Sequence, residues 1–147
     1  IENDEPYMIE YNCRMGDPET EVVMPRLKND LVELFQAVAE QKLDTIKIET
    51  DERTVCTVVA VSGGYPGDYK KGYEIHGLQD INPADSVVYH MGTIIKDGKV
   101  VTNGGRVFCV TSYGRSIYDA VAISKEEIEK ITFTGMEYRS DIGYEFD

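Results

Sequence analysis

Apolar side chains recur at Leu27, Leu31, Leu34, Phe35 and Val38, at spacings of four, three, one and three. That is one stripe at helical period, and the helix it predicts ends near Lys42. Upstream, Met8 to Asn12 reads as a short strand. Asp17-Pro18-Glu19 then carries a helix-start signature, with Asp17 as cap, Pro18 at the first helical position and Glu19 favoured by the helix dipole. Pro25 limits that first helix to about two turns. After Asp44 the pattern turns to alternation and β-branched runs, Thr45 to Glu49 and Thr54 to Val61, the second rich enough in Val and Ala to predict a strand buried on both faces.

Further along, Ser86 to Met91 and Gly92 to Lys96 read as strands, Asp97-Gly98 as a two-residue hairpin turn, and Lys99 to Thr102 as the returning antiparallel strand. Asn103-Gly104-Gly105 breaks the next connection before the apolar strand Arg106 to Thr111. Ser116 caps a helix whose inner face is Ile117, Ala120, Val121, Ser124, Ile128 and Ile131. Thr132 to Asp147 reads as a short strand and a tail. The change of pattern sets a domain boundary near residue 50, giving segments 1–50 and 51–147.

Composition narrows the function. With 147 residues and 41% hydrophobic content the chain can bury a core of its own. Fifteen Lys and Arg against 27 Asp and Glu give a net charge of −12, which repels nucleic-acid backbones and anionic membranes. No apolar run approaches the ~18 residues a bilayer span needs, and the start has no signal-peptide pattern, so a cytoplasmic location is expected. Cys13, Cys56 and Cys109 are too dispersed for a disulfide framework, and with His76 and His90 isolated there is no zinc pattern. Ile1 opens the chain without a methionine, which reads as a cut inside a longer protein.

Four places offer chemistry. Glu10 and Asn12, two apart on the expected strand, leave one face with hard oxygen atoms that suit Mg²⁺, or else form an ordinary solvated face. Arg14, Asp17 and Glu19 crowd a strand end and a helix start, where an anion could bind or where Arg14 could simply pair with the acids. Ser62 to Tyr69 holds three glycines, including Gly63 and Gly64, which permit close backbone approach to a ligand or make a tight turn. It lacks the Lys-Ser/Thr ending of a Walker loop. Arg106 follows Gly104-Gly105, a guanidinium beside pliable backbone, either an anion site or a corner.

The run Glu10-Tyr11-Asn12-Cys13-Arg14-Met15-Gly16-Asp17-Pro18-Glu19-Thr20, continuing to Leu27, resembles the magnesium-binding strand and following helix of the phosphoribosylamine–glycine ligases of purine biosynthesis. Later blocks agree in order: Ala60 to Tyr69, His90-Met91-Gly92-Thr93, Asp97-Gly98-Lys99, Val101 to Val107, and Tyr138 to Gly143. Met91 and Cys13 depart from the usual residues without touching a proposed ligand. The resemblance covers the carboxy-terminal part of such an enzyme.

The resemblance implies an ATP-dependent carbon–nitrogen ligase joining glycine to 5-phosphoribosylamine. Glu10 and Asn12 would hold Mg²⁺ or Mn²⁺, Arg14 and Asp17 would serve catalysis, and Arg14, Asp17, Glu19, Gly63, Gly64 and Arg106 would line the substrate side. The implied fold is α+β. Residues 1–50 would end an ATP-grasp sheet–helix layer, and 51–147 would form a small antiparallel domain with one packed helix, similar to the C-terminal domain of biotin carboxylase. A chain of this extent lacks an adenine pocket and a phosphate-gripping flap, so it is expected to be inactive alone and to self-associate through exposed edge and apolar surface. The competing expectation is a non-catalytic module, a small-ligand binder or structural cap with the same fold.

Overall fold

Two nine-residue strands, β1 (Thr54–Ser62) and β5 (Arg106–Gly114), pair antiparallel along their whole length and form the spine of the molecule. The computed structural model describes residues 4–10 and 13–146. Strand β2 (Ser86–His90) flanks β5, and the two-residue strand β6 (Met136–Glu137) flanks β1, giving the order β2-β5-β1-β6 with every neighbour antiparallel. A separate hairpin joins β3 (Thr93–Lys96) to β4 (Lys99–Thr102). Its turn residues Asp97 and Gly98 both take positive φ, 51° and 76°, as the turn that matches strand twist requires.

The core lies between this sheet and helix α3 (Ile117–Ile128), whose first turn is capped as expected by Ser116, its Oγ accepting from the Asp119 amide. Ala120, Ser124 and Ile128 face Cys56, Val58 and Ala60, and the Ser124 hydroxyl donates to the Cys56 carbonyl at 2.8 Å. Phe108 and Phe133 meet edge to face beneath them. Each large apolar side chain enclosed here contributes about 1.5–3 kcal/mol. Gly114 lets the helix close on the sheet, since a Cβ there would run into the Ala120 backbone.

The strand expected to be buried on both faces is buried on one. In β1 Cys56, Val58, Ala60 and Ser62 are enclosed while Thr57, Val59 and Val61 remain half-buried. Strand β5, with six consecutive buried residues from Val107 to Ser112, is the doubly covered one. Helix α3 covers one of its faces, and the chain around Pro25 lies over the other, where the Tyr113 hydroxyl donates to the Pro25 carbonyl.

The first fifty residues depart more from expectation. Residues 6–10 adopt no regular structure, so the Met8 to Asn12 strand does not form over its described part, and Asn12 lies outside the described residues. Helix α1 is one turn, Thr20–Val23, and stops before Pro25 as expected. It starts at Thr20 because Asp17 is engaged elsewhere and Glu19 turns its carboxylate back onto the Gly16 amide at 3.1 Å. Helix α2 runs Leu31–Ala39, capped by Asp30, whose Oδ1 accepts from the Val32 amide at 2.7 Å. It begins after Leu27 because Leu27 bridges to Thr50.

Thr45 to Glu49 forms no strand. Leu43–Thr45 is a 3-10 turn, and the segment after it is held by the Asn29 side chain, which accepts from the Glu49 amide and donates to the Lys47 carbonyl. Backbone pairing is confined to the end of the segment, where the Lys28 amide donates to the Glu49 carbonyl at 2.9 Å, and the Asn29 side chain takes the place a strand neighbour would hold before it. Of the expected apolar stripe only Leu34 is buried, joined by Ala37; Leu27 is half-buried, and Leu31, Phe35 and Val38 are exposed, as is Val32 beside them, because the short helix has no layer packed over that face among the described residues.

Candidate functional site

An open groove of about 480 Å3 runs along the half-buried face of β1. Its floor is Val59 and Val61, one wall is Asp17 and Pro18, and the other is Tyr138, Arg139 and Ile142. Arg106 stands on the rim as the first residue of β5. Asp17 and Arg106, 89 residues apart in the chain, meet there: Arg106 Nη1 lies 3.0 Å from Asp17 Oδ1 and donates to the Asp17 carbonyl at 3.0 Å.

On its other edge, Arg106 Nε donates to the Tyr65 hydroxyl at 3.2 Å. Tyr65, and then Asp17, holds the Arg106 guanidinium above its ordinary pKa. Arg139 and Asp141 form a second, bidentate pair at 2.9 and 2.8 Å, and the guanidinium holds the Asp141 carboxyl below the usual range. The groove therefore has an apolar floor and, at its edges, two guanidinium groups each paired with a carboxylate, with Glu137 beside them, a lining that can seat a compact body and orient a polar or charged group at its rim.

The other residues singled out from the sequence lie apart from this groove. Arg14 is exposed and donates to the carbonyl of Met15. Glu19 serves the Gly16 amide. Gly63 lies against backbone: its amide donates to the Gly135 carbonyl at 2.7 Å, and a Cβ there would come within 2.8 Å of that oxygen. Gly64 takes a φ of +95° that side chains rarely adopt. Both glycines thus serve the turn reading of their loop. Glu10 is exposed, and among the described residues no group of three or more His, Cys, Asp or Glu side chains converges on a metal position. A site of one carboxylate and one amide oxygen, as Glu10 and Asn12 would offer, still has the hard-donor chemistry of a magnesium site completed by water and phosphate.

Sequence reasoning passed over Tyr65, Tyr138 and Arg139. The signal for Tyr65 is Gly105, the residue before Arg106, where a Cβ would collide with the Tyr65 ring. For Arg139 it is the spacing to Asp141, two residues on.

The profile of the family described as phosphoribosylglycinamide synthetase, C domain, matches residues 55–145. The chain belongs to this family. Among proteins similar to it, the phosphoribosylamine–glycine ligase of Caldanaerobacter subterraneus subsp. tengcongensis is 49% identical over 137 residues, which cover 93% of this chain and 32% of that protein. The Pseudomonas aeruginosa ligase is 48% identical over 95% of the chain and 32% of its own length. The chicken trifunctional purine biosynthetic protein adenosine-3 is 46% identical over 98% of the chain and 14% of its own. The crystal structure of phosphoribosylamine–glycine ligase from Thermotoga maritima superposes with a TM-score of 0.70 at 35% identity, covering 95% of this chain and 34% of that one. The chain thus spans 32% of the length of the ligases it matches. The small antiparallel sheet with its helix is the synthetase C domain, as expected from the sequence. Among the described residues no helix is long and apolar enough to cross a membrane.

Proposed function

We propose that the chain works as the carboxy-terminal part of a phosphoribosylamine–glycine ligase in the cytoplasm. In that reaction the glycine carboxylate attacks the γ-phosphorus of ATP, releasing ADP and forming an acyl phosphate. The amine of 5-phosphoribosylamine then attacks the acyl carbon, losing a proton and expelling phosphate to give glycinamide ribonucleotide. The reading is carried by the Asp17–Arg106 pair, which brings two separated family-like segments to one groove. Identity of 48–49% to proteins named as ligases supports it.

In this reading Arg106 meets an anionic substrate group, with Asp17 orienting the guanidinium and competing with that group for it. Arg14, Asp17 and Glu19 face the substrate side in the assembled enzyme, and Gly63 and Gly64 hold the loop that adjoins it. Glu10 and Asn12 would hold Mg²⁺ or Mn²⁺, which supplies charge neutralisation to the nucleotide phosphates when bound. Residues 1–50 belong to the end of the ATP-grasp region and 51–147 to the small C-terminal domain, with a form akin to that of biotin carboxylase. Neither nucleic acid nor membrane is a partner at a net charge of −12. By itself the chain is inactive and pairs with a second copy through the exposed Val32, Phe35 and Val38 of α2.

The test places this chain in the Caldanaerobacter ligase in exchange for the segment it matches. The chimera should release ADP only when both glycine and 5-phosphoribosylamine are present, and the chain alone should release none. A folded chimera without glycine-dependent turnover refutes the ligase reading and favours the structural cap. Turnover by the isolated chain refutes its inactivity.

A further inference from the structure

The loop from Ser62 to Tyr69 is explained by the fold at its glycines, but not at Tyr65. We propose that Tyr65 is a positioning residue, which fixes the Arg106 guanidinium as the receptor for a phosphate monoester. This rests on the ligase reading, which sends a phosphorylated substrate to this groove.

The geometry supports a prepared donor. Arg106 is anchored on two edges, through Nε to the Tyr65 hydroxyl at 3.2 Å and through Nη1 to Asp17 at 3.0 Å. Among the described residues Nη2 donates to none, and the Arg106 side chain is 38% exposed on the groove. Tyr65 itself is confined. Its ring occupies the space that the missing side chain of Gly105 leaves, and it meets Tyr69 edge-on with ring centroids 6.1 Å apart. Its amide donates to the Ser62 carbonyl at 3.0 Å. An arginine held before the ligand arrives avoids the ordering cost of binding.

The groove's acids balance its guanidinium groups. Asp17 and Glu137 line it with Arg106 and Arg139, so the ligand is chosen by hydrogen bonds to the held guanidinium and not by a net charge of the lining. A phosphate brings three acceptor oxygens where a carboxylate brings two, which suits the open Nη2 edge of Arg106, while Arg139 across the groove is already paired with Asp141. The apolar floor of Val59, Val61 and Ile142 and the volume of about 480 Å3 leave room for the body that carries the phosphate.

The test uses the full chain labelled with ¹⁵N and titrated with inorganic phosphate at constant ionic strength, reading the Arg106 Nε–Hε signal. That signal is assigned by its loss in Arg106→Lys. In the parent protein it should exchange slowly with solvent and shift saturably with phosphate, while glycine leaves it unmoved. Tyr65→Phe keeps the ring and removes only the hydroxyl, so it should bind phosphate about three- to ten-fold more weakly at an unchanged thermal midpoint. Asp17→Asn should bind more tightly, because a competing anion is gone. Phosphate binding by Tyr65→Phe equal to the parent overturns the positioning role. So does an Arg106 Nε–H that exchanges as fast as that of a free arginine, a reading made on the parent protein itself. Equal response to glycine, or none to phosphate, overturns the ligand class. Glycine-dependent ADP release by the chimera reports on the ligase reading separately, and stays intact if only Tyr65 has been misassigned.

Discussion

The phenol of Tyr113, near the end of β5, donates to the carbonyl of Pro25 at 2.8 Å, across 88 residues of sequence. Arg53 lies over the same ring, 4.2 Å from its centroid. One side chain therefore ties the segment around α1 to the sheet and also caps the approach to β1. With Arg106 on Asp17, it holds the Gly16–Arg26 segment over the half-buried face of β1 at two points.

Tyr113→Phe keeps the ring and its contact with Arg53 but removes the tether. We expect a loss of about 1 kcal/mol in unfolding free energy by denaturant titration. Amide exchange should accelerate in residues 20–26 while β1 and β5 stay protected. Equal exchange of residues 20–26 in the two proteins would show that this segment is held by packing alone.

The turn that closes helix α2 places Gln41, just past its end, in the left-handed region at a φ of 57°. The Gln41 amide donates to the Val38 carbonyl at 3.1 Å and the Lys42 amide to the Ala37 carbonyl at 2.8 Å, the paired closure that usually has glycine at its turning residue. Gln41→Gly relieves the clash of Cβ with the backbone and should stabilise the chain by about 0.5–1 kcal/mol, despite the greater freedom of glycine in the unfolded state. A lower melting temperature for Gln41→Gly would mean that unfolded-state entropy outweighs the relief.

The elements that were legible in the sequence are those whose cause is local. The Asp97-Gly98 turn needs only two residues that accept positive φ, Ser116 needs only the amide of Asp119, and Pro25 stops α1 by its own ring. The failures involve distant partners. Asp17 looks like a cap until Arg106 takes it, and Thr45 to Glu49 looks like a strand until Asn29 supplies a side chain where a neighbouring strand would be. For the same reason Asp17 and Arg106 were each visible as candidates, whereas Tyr65 was not. Its partner and the glycine that makes room for it lie about forty residues on, and no local pattern links them.

Cysteine reactivity should split one against two. Cys13 is exposed, whereas Cys56 and Cys109 are buried, and burial pushes both of their thiols above the ordinary value. A thiol-specific chromophore at neutral pH should react quickly with one equivalent in the native chain and with three after denaturation. Cys13→Ser should abolish the fast phase. A fast phase that survives in Cys13→Ser would mean that the sheet opens at β1 or β5 on the timescale of labelling.

The acid limb of stability follows from three exposed ion pairs. Arg53 holds the Asp51 carboxyl well below the usual aspartate range, through its side-chain N–H groups first and its backbone amide second. Lys99 lowers Glu74 and Arg139 lowers Asp141 in the same way. A carboxyl depressed in the folded state contributes its full stabilisation above the unfolded value, here near 3.8 for aspartate and 4.5 for glutamate, and loses it as pH falls toward the folded value. Below those unfolded values the unfolded chain binds protons first, so falling pH favours unfolding. The denaturation midpoint should therefore be nearly flat above about pH 5 and decline below about pH 4.5. Because the pairs are exposed, each contributes little, and 1 M salt should flatten part of the decline. Asp51→Asn removes the most depressed group among the three and should make the acid limb shallower without moving the neutral plateau much. Midpoints of Asp51→Asn that run parallel to the parent from pH 5 down to pH 3 would remove Asp51 from the acid transition and leave it to the remaining carboxyl groups.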